Sequence, residues 1–187
     1  MKSQIRVIGI DDSPFDKGQK DKVLVIGTMF RGGDFLDGVL SCYVSVDGSD
    51  ATSKIIRMIR SSKFCPQLQC IFLDGIAVAG FNVIDIQQLN KETSLPVIVV
   101  IRNKPDLVKI KKALKNLKDG EEKMKMIEGA GVIHYIGGVY CQIAGIDTKE
   151  AIQFLKVCST RSKIPEALRI SHIIGSGVTK GESSGDA

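Results

Sequence analysis

QIRVIGIDDSP, residues 4–14, and CIFLDG, residues 70–75, decide the fold. Each is an unbroken apolar run that delivers an aspartate and then a turn: Asp11-Asp12 after Ile10, and Asp74 after Leu73. Runs this short, bounded by turn residues, read as strands buried on both faces. PVIVVI, residues 96–101, is a third of the same kind and ends at Arg102. Lys22 to Phe30 and Val39 to Val46 add two strands that form an antiparallel meander with the first.

Outward from these strands the chain alternates. Gly48-Ser49-Asp50 offers a turn and caps before a helix from Ala51 to Ser62, with Ile55, Ile56 and Ile59 on one side. A helix is expected from about Val83 to Lys91. Another runs from Leu107 to Lys118, with Leu107, Ile110, Leu114 and Leu117 at helical spacing. Gly120 to Gly131 is polar and reads as a loop. Val132 to Ile136 and Val139 to Ile146 read as strands around Gly137-Gly138. Asp147 or Thr148 caps a helix to about Thr160, and Pro165 opens a last one through Ile174. Three strands followed by alternating helices and strands imply an α/β mixed sheet with helices on both faces, in a single domain over residues 1–174. Gly175 to Ala187 is rich in Gly and Ser without an apolar stripe, and reads as a flexible C-terminal tail.

A chain of 187 residues with 43% hydrophobic and 25% charged residues is ordinary for a globular domain. No apolar run reaches the ~20 residues that span a bilayer, and the N-terminus enters a strand pattern at once, so no membrane partner and a cytoplasmic location are expected. The five cysteines (Cys42, Cys65, Cys70, Cys141, Cys158) are odd in number and form no C-x-x-C pair, against a disulfide framework or a zinc site. The net charge of +5 is concentrated in the lysine-rich segment from Arg102 to Lys125, which includes Lys104. Such a segment attracts a polyanion, or is simply a solvated helix face.

The aspartates carry the chemistry. A carboxylate at the end of a buried strand sits where the chain leaves the sheet, and two neighbouring strands ending this way bring like charges together. Mg²⁺ or Mn²⁺ relieves that repulsion, keeps part of its water shell and binds phosphate oxygens. The plainer alternative is that these aspartates cap turns. No P-loop, nucleophile elbow or dinucleotide loop competes. His134 and His172 are expected to be structural.

Ile5 to Phe15 (IRVIGIDDSPF), Phe30 to Val39 (FRGGDFLDGV), Val46 to Thr52 (VDGSDAT) and Phe72 to Ile86 (FLDGIAVAGFNVIDI) resemble the archaeal endonuclease dU-like family. That family is similar to endonuclease V, a ribonuclease H-like nuclease acting near deaminated bases; Lys163 to Ile174 resembles the endonuclease V ending. The resemblance implies a ribonuclease H-like fold and a DNA partner containing deaminated bases such as deoxyuridine. It implies Asp11 and Asp74 as catalytic metal ligands and Arg102 as a phosphate contact. Phe35 falls where endonuclease V has a wedge tyrosine that separates strands. Val44 stands where endonuclease V has a glutamate, which leaves Asp47, or Asp50, to supply that carboxylate. Ala79-Gly80-Phe81-Asn82 replaces an A-H-P-R stretch. A further histidine aligns near Gly145, leaving Asp147 as a metal-ligand candidate. Asp12 and Asp37 are further acidic candidates. Gly32-Gly33, Gly75 and Gly80 would let backbone approach a flipped base.

The expected function is a Mg²⁺- or Mn²⁺-dependent endonuclease, a phosphodiester hydrolase cleaving DNA at or near deaminated bases. The alternative is a catalytically weak or inactive nucleic-acid-binding module of the same fold. A third reading is an interaction protein whose lysine-rich helix meets an acidic partner.

Overall fold

The computed structural model describes residues 4–16, 18 and 21–183. Seven strands form one sheet in the order β3-β2-β1-β4-β7-β9-β8. β1 is Arg6–Asp12, β2 Lys22–Arg31, β3 Phe35–Ser45 and β4 Cys70–Asp74; β7 is Val97–Ile101, β8 His134–Ile136 and β9 Val139–Ala144. Between β4 and β7 a two-stranded hairpin is formed by β5 (Ala77–Val78) and β6 (Asn82–Val83). β1, β4 and β7 are parallel neighbours at the centre, while β2, β3, β9 and β8 pair antiparallel. The antiparallel meander and the mixed sheet are as the sequence implies.

Side-chain alternation sorts the central strands between two cores. Ile8, Ile10, Ile71, Leu73, Val97 and Val99 face a cluster containing Ile55 and Ile59 of α1 (Ala51–Arg60) and Leu89 of α2 (Ile86–Thr93). Val7, Cys70, Phe72, Ile98 and Val100 face the other way, toward Phe154 and Leu155 of α5 (Thr148–Cys158) and Leu168 of α6 (Glu166–Lys180). α6 lies directly on β1. Its Ala167 carbonyl accepts from Thr28 Oγ1 at 2.6 Å, and Ser171 Oγ donates to the Gly9 carbonyl at 2.7 Å. The five cysteines are free thiols.

Several local expectations change. α6 continues through Lys180 to a left-handed Gly181 at its C-terminal cap, so residues 175–180 are helical rather than frayed. Gly175 belongs there because a side chain at that position would meet Ser13. Residues 184–187 of the expected tail lie outside the described residues. The expected loop at 120–131 is largely α4 (Gly120–Gly129). Its buried face includes Lys123, whose Nζ pairs with Asp119 and donates to the Asp47 carbonyl at 2.6 Å. A lysine at a core position hides the apolar stripe in the sequence. α3 is Leu107–Leu114, one turn shorter than its periodicity suggests.

Candidate active site

Strand parity decides what surrounds Asp11. Gly9 lies under α6, so Asp11, two residues on, points to the same face, and Asp12 points to the other. β4 runs parallel to β1 with Ile10 opposite Leu73, so Asp74 leaves the sheet beside Asp11. Phe72 faces the α6 core, and Asp74 shares that face. Val100 of β7 does too, which puts Arg102 on the same row. Asp11, Asp12, Asp74, Arg102 and His172 line one open cleft of about 450 Å³, with Ser13, Pro14 and Phe15 along its rim.

The polar contacts within it are specific. His172 Nδ1 lies 3.0 Å from Asp11 Oδ2. Asp11 Oδ1 accepts from the Asp12 N–H at 2.9 Å. Arg102 pairs with Asp74 at 3.1 Å. Asp12 turns to the α1 side and accepts the Ala79 N–H at 2.7 Å, tying the β5–β6 hairpin to the end of β1.

Burial pushes the Asp12 carboxyl from its ordinary 3.8 up to about 6; Asp11 and Asp74 add to the rise, against the Ala79 hydrogen bond. Burial, then the charge of Asp11, lifts Asp74 to about 6, although Arg102 and His172 oppose it. The hydrogen bond to Asp11 raises His172 above 6.5, outweighing burial. All three groups bind protons more tightly folded than unfolded. Their contribution to stability is therefore complete at low pH and is lost as pH climbs: between about 4 and 6 for the two aspartates, and through the raised value for the histidine. Asp12→Asn keeps the oxygen that accepts from Ala79 and removes the charge. It is expected to stabilise the metal-free chain by on the order of 1–3 kcal/mol at pH 7.5 and hardly at all at pH 4. Urea unfolding at the two pH values measures this; equal effects at both would contradict the charge-burial account.

The remaining candidates go elsewhere. Asp147 caps α5, accepting the Glu150 N–H at 2.8 Å in a capping box. β9 is antiparallel to β7, with Ala144 opposite Val97, so Asp147 emerges at the end of the sheet opposite Arg102. Gly145 is at that end too. Asp37 is held by Arg6 and Arg31 at the start of β1, again the far end. Asp50 is fixed by Ser45, Asn82 and Lys54; burial opposes ionisation there, but these bonds hold its carboxyl well below the usual range. Asp47 lies one loop away from the cleft, does not line it, and accepts the Phe81 N–H at 2.8 Å. Of the further acidic candidates, Asp12 lines the cleft, whereas Asp47 and Asp147 do not. Val44 is fully buried in the core facing α1.

Phe35 is the first residue of β3, which begins four residues before the expected Val39, and its ring lies against Arg31. It sits level with Arg6 through the pairings Phe35–Arg31–Arg6. That is five residues from Asp11, about 17 Å at ~3.3 Å each. A wedge there would act about five base-pair steps away at ~3.4 Å per step, not beside the carboxylates. Gly75 (φ 80°) donates to the Val100 carbonyl at 3.0 Å behind Asp74. Gly80 (φ 85°) is packed on Asp47, and Lys104 is exposed beyond Arg102.

His172 is the site residue that the sequence reading did not assign. Its signal was its spacing: it falls four residues after Leu168 and next to Ser171, both buried against the sheet. Among the described residues no three Asp, Glu, His or Cys side chains converge as a closed ligand set.

Similar proteins share this architecture. A solved protein of unknown function from Archaeoglobus fulgidus superposes with a TM-score of 0.88 at 44% identity, covering 93% of this chain and 98% of that one. Endonuclease V of Ciona intestinalis, solved with a 24mer DNA containing an inosine followed by a ribo-adenosine, gives a TM-score of 0.56 at 13% identity, covering 89% and 82%. The sheet is of the ribonuclease H-like type, and the chain is of the nuclease-related class built on it. More narrowly, its sequence matches the endonuclease dU family over residues 3–179, and it belongs to that family. A UPF0215 protein of Methanothermobacter thermautotrophicus is 50% identical over 191 residues, spanning 100% of this chain and 94% of that protein. Among the described residues no helix is long and apolar enough to cross a membrane.

Proposed function

We propose that this chain is a divalent-metal-dependent endonuclease that cleaves DNA at or near a deaminated base such as deoxyuridine. The observation that carries the reading is the adjacency of Asp11 and Asp74 on parallel central strands, opening into one cleft with Asp12, His172 and Arg102. The donor set fits a hard cation: carboxylate oxygens, of which those of Asp12 and Asp74 are raised in proton affinity by burial and neighbouring carboxylates, with the Arg102 guanidinium set against them. Asp11 and Asp74 would hold Mg²⁺ or Mn²⁺, with Asp12 adding negative charge at the edge of the same cleft. The cation supplies polarisation of the phosphodiester and activation of a water.

The protein's own groups do the rest. His172 orients Asp11 through Nδ1. Arg102 on Asp74 stands where a phosphate oxygen can receive its N–H donors. The open cleft leaves room for a strand along the sheet end. Family membership and the DNA-bound Ciona endonuclease V support a DNA partner.

α3 begins five residues beyond Arg102, at the same end of the sheet, with Lys109, Lys111, Lys112 and Lys115 exposed. These lysines are expected to meet the DNA backbone. Replacing any one with Ala should lower the slope of log affinity against log salt by about 0.9. An unchanged slope in the quadruple variant would assign them to solvent alone.

The test is a panel of duplexes carrying one deoxyuridine, one inosine or no lesion, incubated with Mg²⁺, Mn²⁺ or chelator. Metal-dependent nicking near the uridine is the expected result. DNA binding without nicking under any metal would instead favour a binding module, the reading that Val44 in place of a carboxylate supports.

A further inference from the structure

We infer that a second cavity, sharing a wall with the carboxylate cleft, receives a nucleobase of the strand bound there; the substrate class rests on the nuclease reading above. The cavity, about 350 Å³, is formed by Ser13, Pro14, Phe15, Leu24, Tyr43 and the last turns of α6 from Val178 to Lys180. Ser13, Pro14 and Phe15 also line the cleft, so the two spaces adjoin along these residues.

Strand parity gives this adjacency a direction. Ser13 follows Asp11 by two residues and faces α6, as its contact with Gly175 requires. The Ser13 N–H donates to the Leu24 carbonyl at 2.8 Å, and Leu24 pairs with Tyr43. Ser13, Leu24 and Tyr43 thus form a row leading from Asp11 across two strands, about 10 Å at ~4.8 Å per strand. A nucleotide neighbouring a phosphate at Asp11 runs along it.

The lining suits a base. Phe15 is half-buried, and Tyr43 and Val178 are 56% and 66% exposed, a large apolar outlay on the surface. Small-molecule sites combine apolar walls with a few polar groups. Here the polar groups are Thr179, the exposed Asp16, Lys22 and Lys180 at the rim, and Ser13, which is buried and whose hydroxyl has no hydrogen-bond partner among the described residues. Aromatic faces stack on any base, while Lys180 complements phosphate.

The chain contains no tryptophan, so Tyr43→Trp introduces the sole indole. Its emission is followed as a single-stranded oligonucleotide is added in chelator, where no cleavage can occur. The expected result is quenching that disappears when one abasic residue is placed at the position the cavity holds, found by walking the abasic residue along the strand. Tyr43→Ala should weaken binding by about ten-fold without changing the salt slope, since phosphate contacts are untouched. The exposed position predicts an unchanged melting temperature for both variants. If the unaltered chain binds and neither quenching nor weakening is seen, the base site is wrong and the nuclease reading stands. If the unaltered chain binds no oligonucleotide at low salt, both fail.

Discussion

Asp11→Asn and Asp74→Asn are each expected to cut the rate of metal-dependent strand cleavage by on the order of 10³-fold, with the fold intact. Each substitution removes a carboxylate from the cleft where Asp11 and Asp74, on adjacent parallel strands, stand together. Losing one pre-organised electrostatic group at a reacting centre has an effect of about that size. Stability should move the other way for Asp74, whose proton affinity burial and Asp11 raise. The neutral amide is therefore expected to melt higher than Asp74 at pH 7.5 when no metal is present. A ligand that binds only the folded chain stabilises it. Mg²⁺ or Mn²⁺ should accordingly raise the melting temperature of the unaltered protein and leave that of both variants nearly unchanged. Cleavage and thermal unfolding, measured on the same preparations, check both parts. Full cleavage by either variant would end the metal-site reading.

The second large effect is on assembly. Gly9→Ala is expected to destabilise the chain by about 3 kcal/mol or more, at the upper end of the range for overpacking a core. A β-carbon at Gly9 would collide with the Ala167 carbonyl carbon and lie 2.5 Å from Leu168 N, both backbone atoms of α6. No rotamer change relieves such a clash, so the helix must retreat. Retreat stretches Ser171 Oγ to the Gly9 carbonyl and Thr28 Oγ1 to the Ala167 carbonyl, and draws His172 away from Asp11. Gly27→Ala is the matched control in β2. Its β-carbon would meet only side-chain ends, Ile8 Cδ1 at 2.9 Å and Met58 Cε at 3.3 Å, which can shift. Urea unfolding should separate the two clearly. Equal costs would mean that close helix–strand approach is not what Gly9 provides.

The loss of His172 from the sequence reading and the misplacement of Asp147 have related causes. His172 and Asp11 are 161 residues apart and meet because α6 returns across the meander onto β1. Nothing local in the last helix announces which strand it will cover. Asp147 follows an apolar strand, as Asp11 and Asp74 do, and so carries the same local signal. β9, however, runs antiparallel to β7, and reversing a strand sends its C-terminal carboxylate to the opposite end of the sheet. Asp37 is misleading for a different reason: it is paired with two arginines whose positions only the β1–β2–β3 register fixes.

The sequence alone determined the strands, because unbroken apolar runs ending in aspartate have few ways to be satisfied except as buried strands with carboxylates at their exits. It also put Asp11 and Asp74 at those exits, and Arg102 beyond the third run. Tertiary structure alone decided which exits coincide and which way each side chain turns. Parallel pairing of β1 with β4 aligned Asp11 with Asp74, and the two-residue period of a strand sent Asp11 toward α6 but Asp12 toward the hairpin. Strand direction and parity are properties of the assembled sheet, which no single segment encodes.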